Sequence, residues 1–535
     1  MNNKNKRFKQ KPKRQIYNFN HQEREAQIEK ITMENTGELI SISGLIDSIT
    51  QTSGPTLFSI TDGTGVLILK GFESPGARAY PFIKEEDAVQ ATVKINEYNG
   101  MLEGEIKKIQ KLTPEQKESI YHQIEQIERK RAEPERVNFL VKSPILDKLR
   151  EKFIEAAREI KLAIIQNRPI IVRHHNDTDG YSAGYALEKA ILPLIEKQHG
   201  EGKSAWEFYL RAPCAAPFYE IEDSIRDTAM SLRNEAKFSN KMPMIIIADN
   251  GSSPEDLLAI KQGKVHGINF VVIDHHYFDK DVISQEVSVH INPFLVGEDG
   301  AKFSAGMLCT ELARFIAPAE NLEQIPALAG LADRINNPPV LDEYLKIAAK
   351  KGYNKSLLLD IATVIDFISS KLRFMEAREY IEVLFGEPMS KQKTLVALLA
   401  PYINGLENKG LEIAKNSVKT EKINKTTLQL LFIEEIYSRG FYPKPGKCNG
   451  LLHDYAQEKK GIKNIVSAAI LSDMVTIRAS DEANFSVHEF ILFINKKIPD
   501  AFPEGGGHKN AGAIKFVPNK QKEIITSLKE FIKIR

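Results

Sequence analysis

Carboxylate and imidazole side chains follow three short apolar segments of this chain. The segments are residues 169–172, 244–248 and 270–273, and each is rich in Ile or Val. Such runs are typical of buried strands in a parallel sheet. The polar residues that follow the three segments are His175, Asp177, Asp179, Asp249, Asp274, His275 and His276. Because the carboxyl ends of parallel strands lie along one edge of a sheet, we expect these side chains to cluster there.

The expected cluster has the composition of a site for divalent metal ions. It offers oxygen and nitrogen donors without Cys, a set that suits Mn²⁺ or Mg²⁺ better than a structural zinc ion. Any one of these residues alone could instead be a solvated loop acid or a core histidine. The repetition at three strand ends favours the metal site.

The motifs that contain these residues resemble those of the DHH phosphoesterase superfamily, and within it the archaeal type of RecJ-like single-strand nuclease. Residues 175–180 are similar to the first family motif, and Asp249 stands where the second motif has a lone Asp. Asp274, His275 and His276 form the family signature itself.

The later part of the chain continues the resemblance. Asp333 is similar to the acid of the fourth motif, and residues 505–508 (Gly-Gly-Gly-His) resemble the glycine-rich motif of the DHH-associated domain. The motifs stand in the family order and cover about two-thirds of the chain. The chain departs from the pattern at Arg173, where many members carry a ligand His. His175 is the residue that would replace this ligand.

The resemblance implies two Mn²⁺ or Mg²⁺ ions that together activate a water molecule. The implied ligands are His175, Asp177 and Asp249 for one ion, and Asp179, Asp249, His275 and Asp333 for the other. Asp249 would bridge the ions. The implied catalytic residues are His276, Asp249 and Asp177, with His276 contacting the phosphate. Asp274 is interpreted as a residue that orients a ligand His.

Substrate binding is assigned to the C-terminal part of the chain. Consecutive glycines expose backbone N–H groups that can approach a phosphate closely, and side-chain donors lie nearby in the sequence. The implied substrate-binding residues are Arg478, Gly505, Gly506, Gly507 and His508.

The predicted fold class is α/β: a parallel-sheet DHH catalytic domain and a smaller α/β DHH-associated C-terminal domain, preceded by an all-β barrel. In the catalytic domain, residues 177–180 are predicted to form a loop along which Asp177 and Asp179 point to opposite sides. Crossover helices are predicted over residues 181–200 and 255–264.

The barrel is predicted from short alternating strands with turn signals, which resemble a nucleic-acid-binding OB-fold. Its candidate base-stacking aromatics are Phe58, Phe72, Tyr80 and Tyr98, with Lys70 and Arg78 as candidate phosphate contacts. Phe58 could instead fill the barrel.

Six segments are predicted in all. They are a basic disordered arm (1–35), the OB-fold domain (36–112), a helical linker (113–167), the DHH catalytic domain (168–345), a helical connector (346–440) and the DHH-associated substrate-binding domain (441–535).

Composition narrows the class of protein. The 535 residues carry a formal net charge of +2, so affinity for nucleic acid would have to come from local basic patches. Three scattered cysteines argue against a disulfide framework and for a reducing compartment. No segment is predicted to cross a membrane, and we expect a cytoplasmic protein.

The leading functional prediction is a metal-dependent exonuclease that hydrolyses single-stranded DNA or RNA. The sequence leaves the polarity open, with 5′→3′ as the first choice, and replication or repair proteins are possible partners. One alternative is a phosphoesterase for oligonucleotides, cyclic dinucleotides or pyrophosphate. Another is a catalytically dead replisome scaffold, which the presence of every implied ligand disfavours.

Overall fold

The structure is a computed structural model. It describes residues 24–535 except residues 75, 201, 203–206, 215, 239–240, 319–320, 373–377 and 439. Most of the predicted basic arm, residues 1–23, lies outside the described residues. Two compact units divide at Arg131 and Ala132. Among the described helices, none combines the length and the apolar composition that crossing a bilayer requires.

The first unit is built on a closed five-stranded barrel. The elements of this unit are β1 (Arg24–Glu25), β2 (Leu39–Gln51), β3 (Thr56–Thr61), β4 (Val66–Gly71), β5 (Ala88–Tyr98), β6 (Met101–Lys111) and α1 (Pro114–Ala132). The barrel is formed by β2 to β6, and β1 pairs with β2. The barrel closes because β2 pairs with both β3 and β5, while β4 and β6 run parallel. The carboxylate of Asp62 accepts hydrogen bonds from the N–H groups of Thr64 and Gly65 and so holds the turn between β3 and β4. An OB-like barrel is therefore present.

The candidate stacking aromatics of the barrel occupy different environments. Phe58 is 0% exposed and fills the barrel interior, so its interpretation as a base-stacking residue is wrong. Phe72 and Tyr98 are 60% and 59% exposed. Lys70 pairs with Glu103 and lies 4.4 Å from the ring centroid of Tyr98.

The two remaining candidates differ in burial: Tyr80 is half-buried and Arg78 is exposed. Tyr80 packs edge-to-face against Phe58, with 6.2 Å between ring centroids. Arg78 donates a hydrogen bond to the carbonyl of Ile83.

The second unit begins with helix α2 and a five-stranded parallel sheet. The elements of this part are α2 (Pro144–Ile165), β7 (Ile170–His174), α3 (Thr178–His199), β8 (Tyr209–Pro213), α4 (Ile221–Phe238), β9 (Met244–Ala248), α5 (Leu257–Val265), β10 (Asn269–Ile273), β11 (Val289–Ile291), α6 (Ala305–Ile316) and α7 (Ile325–Ala332). The strand order is β11-β10-β9-β7-β8, and every pair is parallel.

Both faces of the parallel sheet are buried. Along β9, Ile246 packs into the core formed with α2 and α3, whereas Ile245 and Ile247 pack into the core formed with α5. Two-sided burial explains why these strands are continuous apolar runs rather than alternating ones. The register places Ile273 and His174 beside Ala248, so β7, β9 and β10 end at one edge.

Helices connect this sheet to a second, mixed sheet. The connecting elements are α8 (Pro338–Lys350), α9 (Lys355–Leu372), α10 (Arg378–Leu384) and α11 (Met389–Ser417). The C-terminal elements are β12 (Lys419–Ile423), β13 (Thr426–Phe432), α12 (Ile433–Ile436), α13 (Pro445–Glu458), β14 (Ile465–Ile470), β15 (Met474–Ala479), α14 (Val487–Lys497), β16 (Glu504–His508), β17 (Ala511–Lys515) and α15 (Gln521–Lys533).

The strand order of this mixed sheet is β12-β13-β14-β15-β17-β16. The sheet starts at Lys419, within the segment predicted as a helical connector. Its first strand is a largely exposed edge strand of mostly polar residues, so it lacks the apolar alternation by which strands are recognised.

Candidate metal centre

Asp249 lies at the centre of the carboxyl edge of the parallel sheet. It follows β9 directly, and its N–H donates to the carbonyl of Ile273 at the end of β10. Its φ of 59° is uncommon for a residue other than glycine. Backbone conformations of this kind cost energy and are concentrated at functional sites.

The first motif is a helix start rather than a loop. Asp177 caps helix α3, and its Oδ1 accepts a 2.9 Å hydrogen bond from the N–H of Gly180. Asp179 lies in the first turn, where its carboxylate accepts bonds of 2.9 and 3.0 Å from the N–H groups of Ala305 and Gly306. The prediction of a loop over residues 177–180 is therefore wrong. Asp177 is the N-cap residue, so the helix begins at the next residue, Thr178.

His175 and Arg173 have separate environments. The Nδ1 of His175 lies 2.9 Å from Asp177 Oδ2 and 3.5 Å from Asp249 Oδ2. The guanidinium of Arg173 is buried away from these carboxylates and pairs with Asp227. The structure thus brings His175 into the cluster, at the place where the sequence departs from the family pattern.

His275 contacts the remaining carboxylates. Its Nε2 lies 3.3 Å from Asp249 Oδ1, 3.6 Å from Asp333 Oδ2 and 3.9 Å from Asp179 Oδ2. The opposite ring nitrogen, Nδ1, is 3.3 Å from the carbonyl oxygen of Gly300, which fixes the ring orientation.

Three groups of potential ligands share Asp249, and one of them is formed with Asp274 and His276. The donor atoms of His175, Asp177 and Asp249 all lie within 4.8 Å of one another, and the same holds for Asp179, Asp249 and His275. Asp333 adjoins the second group through His275. The groups that contain His175 and His275 have the membership that the sequence resemblance implies for two ions.

The electrostatics of the cluster suit a cation. Burial, together with the charges of Asp249 and Asp333, raises the pKa of Asp179 well above its usual value. Burial, opposed by His275 and reinforced by Asp249, raises the pKa of Asp333 to about 6. Neighbouring carboxylates disfavour one another's charge, and a divalent ion relieves this repulsion. The donor set therefore fits a divalent metal ion.

The carboxylate of Asp274 contacts both histidines of the family signature, His275 and His276. Its Oδ1 accepts hydrogen bonds from the N–H groups of His275 and His276, and lies 2.8 Å from His276 Nδ1. Its Oδ2 accepts a bond from the N–H of Ser252. Although burial disfavours a charged imidazole, Asp274 raises the pKa of His276.

The glycine-rich segment is a strand, not a loop. It forms β16, which pairs with β17. This strand brings His508 to the cluster, with its Nε2 4.0 Å from Asp333 Oδ2 and its ring centroid 5.0 Å from that of His276. Gly505, Gly506 and Gly507 line a separate cavity on which His276 also borders.

A second cavity, of about 380 Å³, opens on the carboxylates. Asp177, Asp179 and Asp333 line it together with Arg478, Lys444 and Lys447. Arg478 thus lies in the same cavity as three implied ligands. Lys444 is a residue that sequence reasoning missed, although it precedes the Pro that starts α13 and stands three residues before another Lys.

Sequence reasoning also missed a polar network behind Asp274. Ser252 Oγ lies 2.9 Å from His290 Nε2 and accepts a hydrogen bond from the side-chain amide of Asn292. The same amide donates to the carbonyl of His276. Asn292 also caps a short helical turn. No local sequence signal marks Ser252 or His290, because their partners are 38 to 40 residues away.

Comparison with known proteins adds independent information. No family model matches the chain. An uncharacterized protein of Methanocaldococcus jannaschii is 36% identical over 531 residues, an alignment that covers 94% of this chain and 69% of that protein.

Solved structures resemble most of this chain in fold. A DHH domain, from a protein described as a member of a family of ribosomal proteins, is 36% identical with a TM-score of 0.74, and the match covers 79% of this chain and 99% of that one. RecJ from Thermus thermophilus in complex with Mn²⁺ has a TM-score of 0.52 at 14% identity, covering 76% of this chain and 56% of that one. With the motifs and the sheet-edge cluster described above, the 36% identical DHH domain shows that the chain belongs to the DHH superfamily of phosphoesterases, and the RecJ structure shares its fold.

Proposed function

We propose that this protein is a metal-dependent exonuclease that hydrolyses phosphodiester bonds of single-stranded DNA or RNA. The observation that carries the proposal is the position of Asp249, shared by the ligand groups of His175 and His275 beside a cavity lined with cationic side chains. The first polarity to test is 5′→3′. The alternatives, a small-substrate phosphoesterase or an inactive scaffold, are outcomes of the same test.

The chain's own residues would bind and orient two ions. His175, Asp177 and Asp249 would hold one of them, and Asp179, Asp249, His275 and Asp333 the other. Bound Mn²⁺ or Mg²⁺ would polarise the phosphoryl group and supply a nucleophilic water at neutral pH. Mn²⁺ is the ion in the similar T. thermophilus RecJ structure.

His276 is the proposed contact to the scissile phosphate. Because Nδ1 faces Asp274, Nε2 is the nitrogen left to donate to a phosphoryl oxygen. The raised pKa of His276 favours the protonated ring, which would stabilise negative charge that develops in the transition state.

The cations of the 380 Å³ cavity are proposed phosphate contacts. Lys444 and Arg478 are mostly enclosed, and burial lowers the pKa of each. Enclosing a positive group is costly unless an anion accompanies it. A substrate phosphate would provide this partner next to the carboxylate cluster. His508 and the glycine strand are the other proposed substrate-binding elements.

The barrel unit is proposed to add affinity for long strands. Phe72 and Tyr98 present large exposed rings on which bases could stack. Single-stranded nucleic acid is accordingly the proposed partner, and replication or repair proteins are further candidates.

A degradation time course tests the proposal. Single-stranded DNA and RNA of equal length, labelled at either end, would be incubated with Mn²⁺ beside a dinucleotide and pyrophosphate, with a chelator in matched reactions. We expect stepwise shortening of the long strands, abolished by the chelator. Consumption of the dinucleotide or pyrophosphate alone would replace the exonuclease with a small-substrate phosphoesterase. No consumption of any substrate would favour the scaffold.

A further inference from the structure

The cavity lined by the glycine strand and His276 also borders the candidate metal centre. It has a volume of about 200 Å³, and its walls include Tyr277, His488, Gly506, Asn250 and His276. We call it the Tyr277 cavity. It shares no lining residue with the cation-lined cavity, so the two approach the cluster from different sides.

The aromatic wall of the Tyr277 cavity is held in place by its neighbours. The rings of Tyr277 and His488 have centroids 5.0 Å apart, and Tyr277 also packs edge-to-face on Phe294 at 5.3 Å. His488 Nε2 lies 3.0 Å from the carbonyl oxygen of Gly507, which fixes the imidazole. A positioned ring beside a catalytic centre is a surface on which a planar group can stack.

Gly506 leaves space free at the wall of the Tyr277 cavity. A Cβ on Gly506 would meet no atom within 4 Å, although the residue is buried. A Cβ on Gly505 or on Gly507 would instead lie 2.2 or 2.6 Å from backbone oxygens of β17. Packing against β17 therefore explains why positions 505 and 507 are glycine. It does not explain the glycine at position 506. The missing side chain keeps space free in the cavity.

Asn250, another lining residue of the Tyr277 cavity, carries a side-chain amide without a partner among the described residues. Its side chain is 1% exposed, and neither amide atom has a hydrogen-bond partner among the described residues. Leaving a buried amide unpaired is costly, and such a group in a cavity indicates a polar ligand. An Asn amide offers one donor and one acceptor side, which match the edge of a nucleobase.

We infer that the Tyr277 cavity binds the nucleobase of a nucleotide adjoining the scissile phosphate, stacked on Tyr277 with its polar edge toward Asn250. The inference rests on the proposed nuclease function, and it adds a base-binding subsite to the metal centre. The volume suits one ring system, since pockets for drug-sized ligands begin at about 300 Å³. Stacking recognises the planar face that all bases share, so the subsite would be tolerant of sequence.

Cleavage of abasic substrates tests the subsite. Single strands would carry either a normal base or an abasic sugar on each side of the first cleaved bond, and KM would be measured for wild type, Tyr277→Phe, Tyr277→Leu and Gly506→Val. We expect the abasic change at one of the two positions to raise KM about tenfold in wild type and in Tyr277→Phe. In Tyr277→Leu and Gly506→Val, both substrates should have the same raised KM.

Tyr402→Leu is the matched control, because Tyr402 is an exposed tyrosine on α11 that does not line the cavity. Equal KM values for normal and abasic strands in wild type would overturn the subsite while leaving the nuclease intact. An abasic penalty that persists in Tyr277→Leu would do the same.

A binding measurement keeps the inference testable without turnover. The fluorescence of 2-aminopurine monophosphate should be quenched on binding to wild type and to Tyr277→Phe, and the quenching should be lost in Tyr277→Leu. Cleavage without this quenching contradicts the base subsite alone. Quenching without cleavage of any strand supports a base-binding cavity and contradicts the nuclease.

Discussion

At the scale of single residues, Asp274 determines how the two signature histidines are presented. One carboxylate oxygen faces both backbone N–H groups and the Nδ1 of His276, which leaves Nε2 of that ring for the substrate. Asp274 belongs to a third group of potential ligands, with Asp249 and His276. We propose that its effect on catalysis passes through His276, because its Oδ1 lies 2.8 Å from His276 Nδ1.

Replacing Asp274 by Asn should lower kcat about 10- to 100-fold, the usual cost of losing a residue that orients a catalytic partner. Because Asp274 raises the pKa of His276, the variant should also lose activity at a lower pH on the alkaline side of the profile. The measurement is kcat against pH with a labelled single strand, and KM should change little. Asp342→Asn, at an exposed position on α8, is the control. An unchanged pH profile would contradict this role for Asp274.

The residues near the strand ends could be predicted because each motif is local. The apolar runs and the acids or imidazoles that follow them are contiguous, so the sheet edge could be inferred without knowing the packing. The partners of Ser252 and the position of Lys444 could not be predicted in this way, because they depend on contacts between distant segments.

At the scale of elements, the glycine-rich segment acts as an edge strand. Regular pairing with β17 brings backbone atoms of that strand close to Gly505 and Gly507, and Gly507 has a φ of 125°. These constraints act on backbone packing, and they are distinct from the open space beside Gly506.

Gly505→Ala should destabilise the protein by about 1–3 kcal/mol, because its Cβ would overlap the carbonyl oxygen of Ala513. Gly506→Ala should cause no loss of stability, since an added methyl group meets no atom within 4 Å. Urea unfolding midpoints of the two variants would be compared with that of wild type. Equal losses in both would show that the strand does not pack as described.

Element types were predictable where the hydrophobic period was clear, as in the apolar strands of the parallel sheet and in α2. Ends were harder to predict. Helix α3 starts at Thr178 rather than at residue 181, because a capping bond to the carboxylate of Asp177 sets its start. Strand β12 was not predicted, because its side chains are largely exposed and give no apolar alternation.

At the scale of the whole molecule, the second unit joins residues that lie far apart in the sequence. His508 on β16 reaches a cluster formed by β7, β9, β10 and the end of α7, and its ring lies 5.1 Å from that of His275. The motifs predicted an α/β fold for both parts of this unit. Only the tertiary structure shows that His508 lies near Asp333 and that Arg478 lines the same cavity as Asp333. The domain boundaries themselves stay a prediction.

The central proposal is that Asp249 would be a ligand to both of two metal ions, which would supply the nucleophile for cleavage of a phosphodiester bond. The measurement that tests it most directly is single-turnover cleavage of a labelled single strand by Asp249→Ala at saturating Mn²⁺, with strand binding followed by fluorescence anisotropy. Losing a shared ligand should reduce cleavage to below about one per cent of wild type, while the groove and its strand affinity are retained. Cleavage above a few per cent of the wild-type rate, with binding intact, would contradict the two-ion assignment.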